Sequence, residues 1–110
     1  MNEYTPIRSA LFAPGNRPEL IDKAVSTAAD VVIIDLEDAV PPDKKGEART
    51  NARKKVAHYR ERNIIIRVNG INSDLIEADL DAVVIEDLRC LMVPKVENTA
   101  GVQKLALILS

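Results

Sequence analysis

Val31-Val32-Ile33-Ile34-Asp35-Leu36-Glu37-Asp38 is an apolar run that ends in three carboxylates within four positions. Four β-branched residues in a row favour a strand buried on both faces, as in a parallel sheet. Side chains alternate along a strand, so Asp35 and Glu37 share one face. Carboxylates that leave a buried run are costly unless they reach water, a cation or hydrogen-bond donors. The stretch indicates either a polar strand end with solvated acids or a functional site, and both interpretations stay open.

The same design recurs along the chain. A second β-branched run over residues 64–70 becomes polar at Arg67 and Asn69, which share one face by alternation. Shorter strands are expected over residues 8–13 and 89–94. Helical spacing of apolar residues fills the segments between them. Strands that alternate with helices predict parallel βαβ units with right-handed crossovers.

Four helices are expected. The first follows Pro14-Gly15-Asn16, with Asn16 or Arg17 as its N-cap. The second covers residues 43–61 with Asp43 as N-cap, the third is an acidic surface helix over residues 72–87 that breaks before Val83, and the fourth starts at residue 99. A basic run in the second helix is interpreted as a solvated face; it comprises Lys44, Lys45, Arg49, Arg53 and Lys54.

All four strands become polar at their C-terminal ends. In parallel sheets these ends meet at one edge, which is the active face of a (β/α) barrel. The residues involved are Asn16 and Arg17; Asp35, Glu37 and Asp38; Arg67 and Asn69; Lys95 and Glu97. The pattern therefore predicts a rim that carries both acids and bases.

Composition limits the class of protein. The chain has 110 residues, 46 % of them hydrophobic, and a net charge of -2. That is enough for one small domain with a core, and it argues against a nucleic-acid partner, which needs a basic face. No apolar run or signal pattern predicts membrane insertion or export. Cys90 stands alone, which fits a reducing cytoplasm, and its apolar neighbours predict a buried thiol. His58, the single histidine, is expected on the surface.

Several rim residues have the chemistry of a site. Arg67 offers a fork of donors suited to a carboxylate or phosphate, although a salt bridge to Glu37 or Asp38 is an alternative that can coexist with it. The acids can hold Mg²⁺ through water. Lys95 can bind an anion or pair with Glu97. The Pro14-Gly15-Asn16 turn can expose backbone N–H groups to an anion.

These motifs occur in an order that is similar to a known family. They are Arg8-Ser9-Ala10-Leu11-Phe12-Ala13-Pro14-Gly15-Asn16-Arg17, Asp35-Leu36-Glu37-Asp38-Ala39-Val40-Pro41, Lys45-Gly46-Glu47-Ala48-Arg49, Arg67-Val68-Asn69-Gly70 and Pro94-Lys95-Val96-Glu97. Together they resemble the citrate lyase β-subunit-like CoA-ester lyases of the HpcH/HpaI aldolase superfamily. The resemblance runs from about residue 8 to the end of the chain.

The resemblance implies a (β/α)₈ barrel that makes or breaks a carbon–carbon bond in a 3-hydroxyacyl-CoA, such as citryl-, malyl- or citramalyl-CoA, with Mg²⁺. It implies that Arg67, with Asn69, binds the small oxo acid and that Glu37 and Asp38 are catalytic acids beside the metal and its waters. Phe12 and Lys23 match positions near the CoA thioester arm. Mg²⁺ and a guanidinium would stabilise the negative charge that develops during such a cleavage.

The length of the chain departs from this family. A complete barrel needs about 250 residues, and the direct Mg²⁺ ligands implied by the resemblance are expected beyond residue 110. Residues 1–110 are therefore expected to form the N-terminal half of the barrel, about four βα units, truncated after the fourth strand and its helix. We expect no normal lyase turnover from the chain alone, and a homo-oligomer or a subunit of a lyase complex. The alternative is a non-catalytic half barrel that oligomerises and binds an oxo acid or CoA ester.

Overall fold

The fold is a parallel sheet covered by helices. A computed structural model describes residues 9–94, which contain four strands and three α-helices in strict alternation. The elements are β1 (Ala10–Pro14), α1 (Pro18–Val25), β2 (Val31–Asp35), a short 3₁₀ helix (Pro42–Lys44), α2 (Lys45–His58), β3 (Ile64–Arg67), α3 (Ile76–Val83) and β4 (Cys90–Met92). The predicted alternation of strands and helices is confirmed. The fourth helix, Lys95 and Glu97 lie outside the described residues.

The strands pair in the order β1-β2-β3-β4, and every pair is parallel. The register aligns Pro14, Asp35, Arg67 and Met92 in one row at the C-terminal ends of the strands. Backbone bonds extend this row past the strands, for example from the Leu36 N–H to the Arg67 carbonyl at 2.9 Å. The predicted meeting of the polar strand ends at one edge is therefore confirmed for β2 and β3.

The core lies between the sheet and the helices. Val32, Ile34 and Leu36 are buried in one hydrophobic cluster with Ile64 and Ile66 of the neighbouring strand. Each such side chain contributes about 1.5–3 kcal/mol of burial free energy. The helices complete the cluster with Ile21, Ala24, Ala48, Ala52, Val56, Ile76, Leu80 and Val83. By alternation, Asp35 and Arg67 face the opposite side of the sheet.

α1 has the expected Arg17 at its N-cap position, whereas the start of α2 differs from the expected cap. α1 begins at Pro18, which is preorganised for a first helical position, but the Arg17 side chain bonds to Glu19 and makes no cap bond. Asp43 was expected to be the N-cap of the second helix and is not. The sequence Pro41-Pro42 starts a separate 3₁₀ turn that contains Asp43, so α2 begins at Lys45. α2 also ends at His58 rather than near residue 61.

The third helix is shorter than expected. It begins at Ile76 because the preceding segment forms a turn held by Ser73. The Ser73 hydroxyl donates to the Gly70 carbonyl at 2.6 Å and accepts from the Leu75 N–H at 3.3 Å. Such local bonds compete with helix formation. The helix ends at Val83, close to the predicted break.

Cys90 is exposed, so the expected buried thiol is wrong. Cys90 pairs with Ile65 in register and lies on β4, an edge strand, on the side of the sheet away from the helix-covered core. His58 is exposed at the end of α2, as predicted. No helix within residues 9–94 is both long and apolar enough to cross a membrane.

Candidate functional site

Arg67 and Asp35 form a two-bond ion pair at the ends of β3 and β2. Because the register places them side by side, Arg67 Nε donates to Asp35 Oδ1 at 2.9 Å and Nη2 donates to Oδ2 at 2.5 Å. Asp35 is 1 % exposed, whereas the Arg67 side chain keeps 24 % of its surface in solvent. A fork held at two points is fixed in orientation. Arg67 is therefore a preoriented cation that still reaches solvent.

Asp35 also holds the backbone that follows β2. Its Oδ1 accepts from the Glu37 N–H at 2.8 Å, and its Oδ2 accepts from the Ala39 N–H at 3.0 Å. Burial opposes ionisation and is the largest single influence on Asp35, but the Arg67 hydrogen bonds and the two amides together outweigh it. They hold the pKa of Asp35 below its usual value. Asp35 is thus ionised and committed to protein donors, which leaves it unsuited to bind a metal.

Arg67 has two acidic partners, of which the sequence predicted one. Of the predicted salt bridges to Glu37 or Asp38, the one to Glu37 is present, with Glu37 Oε1 3.8 Å from Nε. Asp35, which was not predicted, makes both hydrogen bonds. The Asp35 hydrogen bond raises the pKa of Arg67. The Phe12 ring lies 4.9 Å from the guanidinium carbon and is 52 % exposed. A guanidinium over an aromatic face is a favourable cation–π contact, so the structure brings Phe12, Asp35, Glu37 and Arg67 together.

Glu37 and Asp38 are the acids that remain available at this rim. Glu37 is partly buried and Asp38 is exposed. Burial first, and then the charge of Asp38, raise the pKa of Glu37. Within residues 9–94 no group of three or more His, Cys, Asp or Glu side chains has the geometry of a metal site. Two carboxylates at a solvent-accessible edge fit Mg²⁺ contacts made through water, since Mg²⁺ keeps several of its waters.

Asn69 lies beneath the rim in a buried network. Its Nδ2 donates to the Leu36 carbonyl at 3.0 Å and to Asp79 Oδ2 at 2.6 Å, and its Oδ1 accepts from Lys45 Nζ at 3.0 Å. The residue is 4 % exposed. Its amide is committed to protein groups, so direct substrate binding by Asn69 gains no support from this geometry and stays a prediction.

Lys23 lies away from this cluster. It is exposed in the last turn of α1, and its neighbour Asp22 accepts hydrogen bonds from Lys55 and Tyr59, near the C-terminal end of α2. Lys45, at the start of α2, contacts Asn69 beneath the rim. Lys55 is ten residues further on and therefore lies about 15 Å along α2 from that contact. The structure does not bring Lys23 to Arg67, and its role near a CoA arm stays a prediction.

The glycine of the Pro14-Gly15-Asn16 turn serves packing. Its N–H donates to the Asp35 carbonyl at 2.8 Å, so that donor is occupied. A Cβ at Gly15 would lie 2.9 Å from Ala48 Cβ and 3.0 Å from Leu36 Cδ2. The turn thus allows β1 and α2 to approach closely.

Three charged residues behind the rim were misassigned from the sequence. Lys45 and Arg49 were expected on a solvated face and Asp79 on an acidic surface helix. Instead Lys45 and Asp79 are buried, and Arg49 Nε donates to Asp79 Oδ1 at 2.7 Å. A signal was present, because Asp79 falls at helical spacing with Ile76, Leu80 and Val83. Lys45 similarly falls on the face of Ala48 and Ala52.

Curated proteins are similar in sequence to most of this chain. A (3S)-malyl-CoA thioesterase of Cereibacter sphaeroides is 38 % identical over 103 residues, which are 92 % of this chain and 36 % of the relative. An L-malyl-CoA/beta-methylmalyl-CoA lyase of the same organism is 37 % identical over 107 residues, covering 88 % of this chain and 32 % of the lyase. The chain thus spans about a third of the length of these curated relatives.

A solved structure and a family profile agree with these relatives. The citrate lyase beta subunit of M. tuberculosis, complexed with oxaloacetate and magnesium, superposes with a TM-score of 0.74 at 39 % identity, covering 88 % of this chain and 42 % of that one. The parallel sheet with its helices therefore matches part of a citrate lyase beta fold. The profile of the family described as HpcH/HpaI aldolase/citrate lyase matches residues 8–110. The chain belongs to the HpcH/HpaI aldolase/citrate lyase family.

Proposed function

We propose that this chain carries the oxo-acid-binding rim of a Mg²⁺-dependent carbon–carbon lyase that cleaves or forms a 3-hydroxyacyl-CoA. The observation that carries the proposal is the Arg67 guanidinium, which buried Asp35 holds at Nε and Nη2. Among residues 9–94 no hydrogen bond engages Nη1. A carboxylate can therefore approach an arginine whose orientation is already fixed, which lowers the entropic cost of binding.

The charge of the rim supports a need for a divalent cation. Asp35, Glu37 and Asp38 face the positive charges of Arg67 and Lys45, so one negative charge is in excess when all are ionised. An oxo acid would bring a further negative charge to this edge. Mg²⁺ bound through waters on Glu37 and Asp38 would reverse the local charge and permit an anion to bind. The magnesium and oxaloacetate bound by the M. tuberculosis relative support this combination.

Each rim residue then has a defined part. Arg67 binds the carboxylate of the oxo acid, Asp35 fixes the guanidinium, and Phe12 covers one of its faces. Glu37 and Asp38 orient waters at the strand end. When bound, Mg²⁺ supplies Lewis-acid stabilisation of the negative charge that develops as the carbon–carbon bond breaks. Direct protein ligands beyond residue 110 are proposed to complete the metal site, whereas the water-mediated contacts of Glu37 and Asp38 are proposed to suffice for Mg²⁺-dependent binding of the oxo acid by residues 1–110.

The substrate class rests on the relatives. Both curated relatives are named for malyl-CoA or methylmalyl-CoA chemistry, one as a thioesterase and one as a lyase. A guanidinium that binds a carboxylate fits the free carboxylate of a malyl group in either reaction, and the oxaloacetate and magnesium bound by the M. tuberculosis relative favour the lyase. Exposed Phe12 is proposed to lie beside the CoA arm. A homo-oligomer or a lyase complex, and a cytoplasmic location, belong to the same proposal.

Calorimetric titration of the 110-residue chain tests the proposal. Oxaloacetate and glyoxylate are each titrated with and without Mg²⁺. We expect binding that requires Mg²⁺ and that weakens about 10-fold or more in Arg67→Lys, because lysine keeps the charge opposite Asp35 but loses the fork. Arg53→Lys is the matched control, since Arg53 is exposed on α2.

Two results would contradict the proposal. One is a wild-type chain that is folded by circular dichroism and binds neither oxo acid in the presence of Mg²⁺. The other is equal binding by wild type and Arg67→Lys. Equal weakening in Arg53→Lys would show that the loss of binding does not depend on the guanidinium geometry at Arg67.

A further inference from the structure

Lys45 is a buried cation whose hydrogen bonds all go to uncharged oxygens. Its Nζ donates to the Leu36 carbonyl at 2.7 Å, to the Glu37 carbonyl at 2.6 Å and to Asn69 Oδ1 at 3.0 Å. An ammonium has three donors, so all three are used. Burying a charge is costly unless it is fully hydrogen-bonded. The Lys45 ammonium, whose charge is costly to bury, is therefore bonded to two consecutive peptide carbonyls.

Those carbonyls belong to the segment that carries the rim acids. Leu36 and Glu37 directly follow β2, and Asp38 is the next residue. From the other side, Asp35 accepts from the N–H groups of Glu37 and Ala39. The strand end is thus held at its carbonyls by Lys45 and at its amides by Asp35.

A second buried group holds the Lys45 partner in place. Asp79 Oδ2 accepts from both the backbone N–H and the Nδ2 of Asn69, at 2.8 and 2.6 Å, and Asp79 Oδ1 accepts from Arg49. Asp79 is fully buried. Bonds from two donors of Asn69 to one carboxylate fix the amide so that its Oδ1 faces Lys45. The network joins α2, α3 and the ends of β2 and β3.

We propose that Lys45 is a positioning residue that sets the backbone of Leu36 and Glu37, and thereby the placement of the Glu37 and Asp38 carboxylates relative to Arg67. The inference rests on the proposed function for its consequence in binding, but the positioning itself is testable without any ligand. A residue that merely docked α2 onto the sheet would stabilise the whole domain. A positioning residue protects the strand end more than the rest of β2.

Amide hydrogen exchange by NMR of the 110-residue chain separates these roles. In Lys45→Met we expect exchange at the Glu37 and Ala39 amides to accelerate by about 10-fold more than at the Val32 amide. Val32 donates to the Asn63 carbonyl at the opposite end of β2 and reports global opening. Lys44→Met is the matched control, because Lys44 is the exposed neighbour and makes a 3.8 Å pair with Glu47.

If Lys45→Met does not fold, Lys45→Arg gives the same comparison. It keeps the charge but replaces a compact ammonium with a planar fork, so we expect a smaller acceleration confined to the same two amides. Acceleration that is uniform along β2, or absent at Glu37 and Ala39, would overturn the positioning role. The same local change in Lys44→Met would overturn it as well.

Titration with oxaloacetate and Mg²⁺ adds the functional consequence. We expect the Lys45 variant to bind more weakly than wild type, with Lys44→Met unchanged. Failure of the wild type to bind would refute the proposed function, while the exchange data would still decide the positioning role. Local acceleration with unchanged binding would overturn the link between Lys45 and the rim.

Discussion

Replacing Asp35 with asparagine tests the ion pair at the centre of the rim. Oδ1 accepts from the Glu37 amide and Arg67 Nε, and Oδ2 accepts from the Ala39 amide and Arg67 Nη2. Asparagine has one acceptor oxygen and one NH₂ group. In either orientation it loses one backbone bond and one Arg67 bond, and it places NH₂ hydrogens against two donors.

The expected cost follows from burial. Removing one partner of a buried ion pair costs about 3–5 kcal/mol. Because the Arg67 side chain is 24 % exposed, water partly solvates the guanidinium that is left behind. We therefore expect a loss near the lower limit, about 3 kcal/mol in the free energy of unfolding at pH 7. With a urea m-value of about 1.5 kcal/mol/M, the midpoint falls by about 2 M.

The pH dependence supplies an internal check. The folded-state pKa of Asp35 lies below its unfolded value, so its ionisation stabilises the fold fully above the unfolded pKa of about 3.9. The gap between wild type and Asp35→Asn should be complete at pH 7. It should shrink only as the pH falls below about 4 through the folded pKa.

Asp38→Asn is the matched control, since Asp38 lies three residues away and is exposed. We expect it to change stability by less than about 0.5 kcal/mol. A loss below about 1 kcal/mol for Asp35→Asn would refute the reasoning. So would equal losses in both variants, or a gap that widens as the pH falls.

Three further substitutions test burial and packing at and behind the rim. Glu37→Gln removes a carboxylate whose pKa is raised, chiefly by burial, so we expect the variant to be more stable than wild type by about 0.5 kcal/mol at pH 7. The difference should vanish at low pH, where Glu37 of the wild type is protonated. A variant less stable than wild type at pH 7 would contradict this reasoning. Gly15→Ala should cost about 2 kcal/mol in urea unfolding because its Cβ meets Ala48, Leu36 and the Asp35 carbonyl. Gly46→Ala, in α2 with no atom within 4 Å of the added Cβ, should stabilise by about 0.5 kcal/mol, and equal effects at the two glycines would be inconsistent with the packing.

The order of strands and helices can be predicted from the sequence because it depends on local patterns of apolar residues. β-branched runs at residues 31–34 and 64–66 identify β2 and β3, and apolar spacing identifies the helices between them. Since parallel strands begin and end together, the polar residues after these runs had to meet at one edge. That was sufficient to predict Arg67 near an acid, with Glu37 close by. Helix limits were less accurate, since Ser73 and Pro42 impose turns at the expected starts.

Which acid holds Arg67, and which charges are buried, was decided only by the tertiary structure. Asp35 rather than Glu37 makes the hydrogen bonds to Arg67 because the register of β2 on β3 aligns Asp35 with Arg67. Lys45 and Asp79 are buried because packing of α2 and α3 on the sheet leaves polar backbone and amide groups that need their hydrogen bonds. A sequence reveals periodicity along one element. The energy of a buried charge depends on atoms from other elements, which only the folded chain brings within hydrogen-bond distance.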